Sequence, residues 1–90
     1  MTFERSTSLG AAEIIARAKR FFAERVPHTA AFPEREGPTF LLLRGQGGEE
    51  VSLAVVAKDG ISHVRASTLL FDQAVDRFLS TLPDAAGAIP

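Results

Sequence analysis

The segment from Phe40 to Ala66 constrains the fold of this chain more than any other, because it contains three extended runs separated by two turns. Glycines in the GQGG segment that starts at Gly45 provide the backbone freedom that a reversing chain needs. The dipeptide Asp59-Gly60 is typical of a two-residue type I′ hairpin turn, which requires two left-handed residues. The pattern predicts a three-stranded antiparallel meander. Its runs are Phe40–Leu43, Val51–Lys58 and Ile61–Ala66.

The alternation of apolar and polar residues is blurred in the first two of these runs. An antiparallel sheet with one face in water shows alternating apolar and polar residues. Here Val55 has Ala54 and Val56 as its neighbours, and the first run is entirely apolar. We therefore expect both faces to be covered, the second one by a partner subunit or an apolar ligand. The predicted interface or ligand-binding residues are Ser52, Ala54, Val56, Phe40 and Leu42.

Two helices are expected beside the meander. An apolar stripe with helical spacing predicts one helix over 11–25, and another predicts a second helix from Ser67 or Thr68 to about Leu82, with Leu70 in its stripe. Residues 1–7 alternate in a mostly polar pattern that suits an edge strand. Residues 27–38 contain three prolines and are predicted to be an irregular loop, either a lid or a segment that packs along the sheet, with Phe32 packed inward.

Together these elements predict an α+β fold with the order β-α-β-β-β-α. An antiparallel sheet of three to four strands carries the two helices on one face. The chain of 90 residues is long enough for one domain, which we place at 1–82, followed by a flexible tail at 83–90.

Composition narrows the classes of function. The net charge of −1 gives no field that would attract nucleic acid, and no apolar run is long enough to span a membrane. The chain has no cysteine, and its start lacks the pattern of a signal peptide, so we expect a cytoplasmic protein. Abundant arginine and alanine are compatible with a bacterial source.

The sequence contains no catalytic motif. Histidine is the residue type suited to acid–base chemistry near neutral pH, but the spacing of His28 and His63 to Asp59 or Glu36 does not preorganise an acid–base pair or a metal site. The GQGG segment joins two strands, whereas a phosphate-binding loop leads from a strand into a helix. We therefore predict no enzyme activity, no catalytic residue, no metal and no cofactor.

The order of elements resembles a known fold. A strand in TFERSTS runs into a helix, a meander follows, and the last strand leads directly into a final helix. This order resembles a minimal helix-grip fold, which the birch-allergen and START-like lipid-binding proteins share and, more loosely, half of a TATA-binding protein. The resemblance implies an apolar small-molecule ligand held between the sheet and the C-terminal helix. The full-sized lipid-binding members, however, wrap more strands around that helix than this chain provides.

Two functions follow as expectations. The first is a structural or protein-interaction role as a homodimer whose sheets meet. The alternative is a binding module for a lipid-like or polyketide-like molecule between the sheet and the C-terminal helix.

Overall fold

A computed structural model of the chain describes residues 1–25 and 30–85. It is an α+β fold in which one antiparallel sheet has five strands in the order β1-β5-β4-β3-β2. The elements are β1 (Thr2–Thr7), α1 (Ala11–Arg20), a π-helical turn (Phe21–Arg25), β2 (Ala31–Glu36), β3 (Phe40–Gly45), β4 (Glu50–Lys58), β5 (Ile61–Thr68) and α2 (Asp72–Ser80).

The predicted meander is confirmed as β3, β4 and β5. Asp59 and Gly60 have φ angles of 56° and 78°, as a type I′ turn requires, and Lys58 pairs directly with Ile61 across that turn. In the other turn, Gly48 has a φ of 90° and donates its amide hydrogen to the Gly45 carbonyl. Local turn chemistry therefore determines both hairpins.

The sheet has one strand more than the upper limit of the prediction. Residues 31–36, expected to be irregular, form the edge strand β2 and pair with β3. Pro33 lies beside a register shift between positions 33 and 35, and proline is tolerated in this setting because an edge strand has a neighbour on one side only. Residues 26–29, including Pro27 and His28, lie outside the described part, so the lid prediction for that part of the loop is not addressed.

Both helices pack against one face of the sheet. Every second residue along much of β3, β4 and β5 is buried, and these side chains pack against the apolar sides of α1 and α2 in one cluster. Phe21, Phe22 and Phe78 form its aromatic part, with ring centroids 5.3 to 6.0 Å apart. The largest fully buried apolar side chains are Phe22, Phe78, Ile14, Leu41, Leu43, Leu53, Leu82, Val51, Val64 and Val75.

The helix boundaries differ from the predicted ones. The α-helical part of the first helix ends at Arg20 and continues as a π-helical turn, which lets two successive rings, Phe21 and Phe22, both enter the core. The second helix begins later than expected, at Asp72. Thr68 is the last residue of β5, and Leu70, predicted in the apolar stripe, is 73% exposed.

Two further predictions concern the ends of the described part. β1 is an edge strand, as expected. In the segment predicted to be a flexible tail, Asp84 forms a β-bridge with Thr7, and Ala85 donates its amide hydrogen to Ser6, while residues 86–90 lie outside the described part. Among the described residues, no helix combines the length and apolar character needed to cross a membrane.

Candidate functional site: the open face of the sheet

The face of the sheet opposite the helices carries side chains from at least four strands, and we call it the open face. Cross-strand pairs define it, because directly opposite residues in an antiparallel sheet point to the same side. Its residues are Thr2, Glu4 and Ser6 of β1; Ile61, His63, Arg65 and Ser67 of β5; Glu50, Ser52, Ala54, Val56 and Lys58 of β4; Phe40, Leu42 and Arg44 of β3; and Phe32 and Arg35 of β2.

All five residues of the predicted interface lie on this open face. Phe40 is paired with Ala54, and Leu42 is paired with Ser52 on the neighbouring strand. Val56 is 64% exposed and Phe40 is 42% exposed, whereas Leu42 and Ser52 are half-buried by their neighbours. Val56 and Phe40 therefore retain apolar surface that is accessible to a partner. The role of the five residues in an interface stays a prediction.

Sequence reasoning missed two apolar members of this surface. Phe32 was expected to pack inward, but it is 48% exposed and pairs with Arg44, which places it on the open face at the β2 edge. Ile61 is 36% exposed at the end of β5. Phe32 lies in β2, a strand that the neighbouring prolines made hard to recognise in the sequence. The face on which a residue lies can be assigned only once its strand is known.

Of the two histidines, His63 lies within the described residues. His63 lies on the open face, and its Nδ1 is 3.0 Å from the Ser6 hydroxyl. Glu36 instead accepts a hydrogen bond from Lys19, with the Nζ and Oε2 atoms 3.0 Å apart. His28 is outside the described residues. Within the described ranges, no group of three or more histidine, aspartate or glutamate side chains could hold a metal ion.

A charged cluster closes the end of the open face where β4 begins. The Arg44 guanidinium makes two parallel hydrogen bonds to the Glu34 carboxylate, at 3.1 and 2.8 Å, and it also lies 3.2 Å from Glu50. The hydrogen bond from Arg44 lowers the pKa of Glu34 below its ordinary value, and the same bond raises the pKa of Arg44. These charges neutralise one another in part, so this end is polar, whereas Phe40, Val56 and Ile61 are exposed towards the other end, beside His63 and Arg65.

The space predicted for an apolar ligand is occupied by the protein's own side chains. On the side of α2 that meets the sheet, Val75 and Phe78 are each 1% exposed, and Leu79 is 4% exposed. Phe78 also contacts the rings of Phe21 and Phe22. A ligand between the sheet and α2 would therefore have to displace part of the core.

Comparisons with known proteins yield no relative on which to base a function. The chain matches no protein-family model, no curated protein and no solved structure. The likeness to helix-grip proteins therefore stays a resemblance in the order of elements. Function has to be argued from the exposed apolar and charged surfaces described above.

Proposed function

We propose that this protein is an interaction module that forms a homodimer through the open face of its sheet. The observation that supports this proposal is the set of large apolar side chains exposed on a rigid, hydrogen-bonded surface. Phe40 begins β3, Val56 lies near the end of β4 and Ile61 begins β5, so these three exposed side chains lie at one end of the face. Phe32 is exposed at the opposite end, beside Arg44. Apolar surface grouped in this way on one face is typical of protein–protein contact sites.

The size of the face is sufficient for a weak dimer. With five strands spaced about 4.8 Å apart and about 20 Å long, the open face covers about 500 Å² in each protomer. Two such faces in contact bury about 1,000 Å², which is near the lower limit for a specific interface. We therefore expect a dimer that dissociates on dilution rather than one whose protomers are inseparable.

The composition of the face favours a second copy of the chain as the partner. Homodimer interfaces combine an apolar centre with a polar rim, and a two-fold axis brings the same patch together from both subunits. Ala54 lies on the central strand, with Phe40 on one side of it and Arg65 on the other. Arg65 in turn pairs with Glu4, so that this row presents balanced charges rather than a single sign.

The substitution Val56→Asp tests the proposal. Val56 is exposed, so the aspartate is tolerated in the monomer, but it places a charge against an apolar surface in the dimer. We expect sedimentation velocity to show a concentration-dependent dimer for the wild type and a monomer for Val56→Asp. The matched control is Gln73→Glu, which adds the same charge at an exposed position of α2 and should leave the dimer unchanged.

Two results would contradict the proposal. One is a wild-type protein that remains monomeric at millimolar concentration, and the other is a Val56→Asp variant that dimerises as the wild type does. Native mass spectrometry of the same samples addresses the alternative function. A reproducible small-molecule adduct on the wild type would favour an apolar ligand over a second protomer.

A further inference from the structure

A second apolar feature lies beyond the end of β5. Leu69 and Leu70 are 86% and 73% exposed in the connection between β5 and α2, which makes them the most exposed large apolar side chains among the described residues. Single exposed leucines are ordinary on protein surfaces. Two consecutive exposed leucines next to a cavity form a contiguous apolar surface outside the core.

The leucine pair is held in place by hydrogen bonds on both sides. The Thr68 hydroxyl donates to the Glu50 carbonyl at 2.9 Å and accepts the Phe71 amide hydrogen at 3.2 Å. Thr68 is 5% exposed and Phe71 is 7% exposed, so both residues that flank the pair are buried. Because the connection is anchored in this way, a partner would lose little conformational entropy of the chain on binding it.

A cavity of about 500 Å³ opens beside the leucines. This volume is within the range of binding sites, but the cavity is open to solvent rather than enclosed. It extends over the last positions of the open face, where Thr2 pairs with Ser67. Its lining includes Thr2, Arg44, Glu49, Glu50, Leu69 and Leu70.

The charges around the cavity indicate the sign of a partner. Arg44 is already bound by Glu34, Glu50 and the Gly48 carbonyl, so its charge is matched within the protein. Among the lining side chains that the structure describes, the remaining charged groups are the carboxylates of Glu49 and Glu50. The Met1 ammonium group also lies at the cavity, 3.8 Å from the Asp72 carboxylate. In and around the cavity, two cations therefore face four carboxylates, those of Glu34, Glu49, Glu50 and Asp72, and the local excess is negative.

We propose that the cavity beside Leu69 and Leu70 binds a basic, apolar segment of a partner polypeptide. An apolar side chain of the segment packs on the two leucines and fills the cavity, and an adjacent lysine or arginine lies against Glu49 and Glu50. A polypeptide fits better than a small molecule, because the leucines project from the surface instead of lining an enclosed space.

This inference does not depend on the proposed dimer. Glu50 and Val56 lie towards opposite ends of β4. They are six residues apart, which corresponds to about 20 Å along an extended strand. The cavity also includes Thr2, Arg44, Glu50 and Ser67 at that end of the open face, so Val56→Asp should leave peptide binding intact, whereas a bound peptide should compete with dimerisation. The two proposals can fail separately in the same set of variants.

The experiment uses a short capped peptide that alternates leucine with lysine, and a second peptide in which glutamate replaces lysine. Binding to the full chain is followed by two-dimensional amide NMR, which reports both the affinity and the location. We expect the basic peptide to shift the amide signals around Leu69 and Leu70 and to bind at least tenfold more tightly than the acidic one.

Variants separate the apolar and the charged contributions. Leu69→Ser combined with Leu70→Ser should weaken binding of the basic peptide at least tenfold. Glu49→Gln combined with Glu50→Gln, which preserves shape, should remove most of the preference for the basic peptide. The matched control is Val56→Ser, an apolar-to-serine change on the open face, which should bind as the wild type does.

Three changes in the binding pattern would overturn the proposal. These are equal binding of the two peptides, undiminished binding by the double serine variant, and signal changes centred elsewhere than on the leucine pair. An absence of binding at millimolar peptide overturns it as well. If peptide binding is seen while the wild type stays monomeric, the dimer proposal alone is refuted.

Discussion

Two separate substitutions, Phe78→Ala and Phe40→Ala, test whether Phe78 stabilises the core while Phe40 contributes to the dimer interface. Phe78 is 1% exposed and touches the rings of Phe21 and Phe22, whereas Phe40 is 42% exposed on the open face. Truncation of a fully buried phenylalanine costs about 3–5 kcal/mol, because the lost burial and the cavity both contribute. A chain of 90 residues has a free energy of unfolding of about 4–13 kcal/mol, so Phe78→Ala removes a large part of it.

The expected cost at Phe40 is smaller. Little more than half of this side chain is buried, which sets its contribution at about 1–1.5 kcal/mol from the value for full burial. Its ring also lies over Gly37, where an added Cβ would be within 2.9 Å of the ring atom Cδ1. The loss of this local contact is included in the same range.

Urea denaturation of dilute, monomeric protein measures both costs, and sedimentation velocity measures the effect on the dimer. Phe78→Ala should shift the unfolding midpoint strongly, and its folded fraction should still dimerise. Phe40→Ala should shift that midpoint slightly and weaken the dimer. The reasoning is refuted if Phe40→Ala destabilises the monomer as much as Phe78→Ala does, because Phe40 would then be a core residue.

The remaining predictions concern an ion pair and a turn. Because Arg44 lowers the pKa of Glu34 below its ordinary value of 4.5, the carboxylate stabilises the fold above that pH, and this contribution is lost as the pH falls through the lowered value. Urea midpoints of the wild type and Glu34→Gln should therefore differ at neutral pH and converge in acid; a constant difference would contradict the assignment. Gly60→Ala should cost about 1–2 kcal/mol because Gly60 has a φ of 78°, whereas Gly10→Ala, at a φ of −75° that alanine also adopts, should cost less in the same assay. Equal effects at the two glycines would show that backbone conformation does not control the hairpin.

The meander was predictable because its determinants are local. A type I′ turn requires left-handed residues at two adjacent positions, and Asp59-Gly60 supplies them without reference to the rest of the chain. Once that turn is set, the alternation of side chains assigns Ala54 and Val56 to one face and Val55 to the other. The residues of the candidate surface follow directly from this pairing.

Strand β2 was not predictable in the same way. Pro33 and the register shift beside it are unfavourable for a strand by local criteria, and they are tolerated only because β3 offers an edge. The position of Phe32 on the open face depends on this pairing. Sequence reasoning therefore found the middle of the apolar surface and missed its margin.

Sequence alone determined the two hairpins, the amphipathic helices and the face that carries Phe40, Ala54 and Val56, since all of these follow from residue spacing and turn chemistry. Tertiary structure decided which apolar residues remain exposed. Leu70 continues the stripe of α2 in the sequence, yet hydrogen bonds of Thr68 and the late start of the helix at Asp72 leave it in solvent. Apolar spacing predicts the side of an element on which a residue lies, but burial also requires a packing partner, and only the assembled fold determines where one is present.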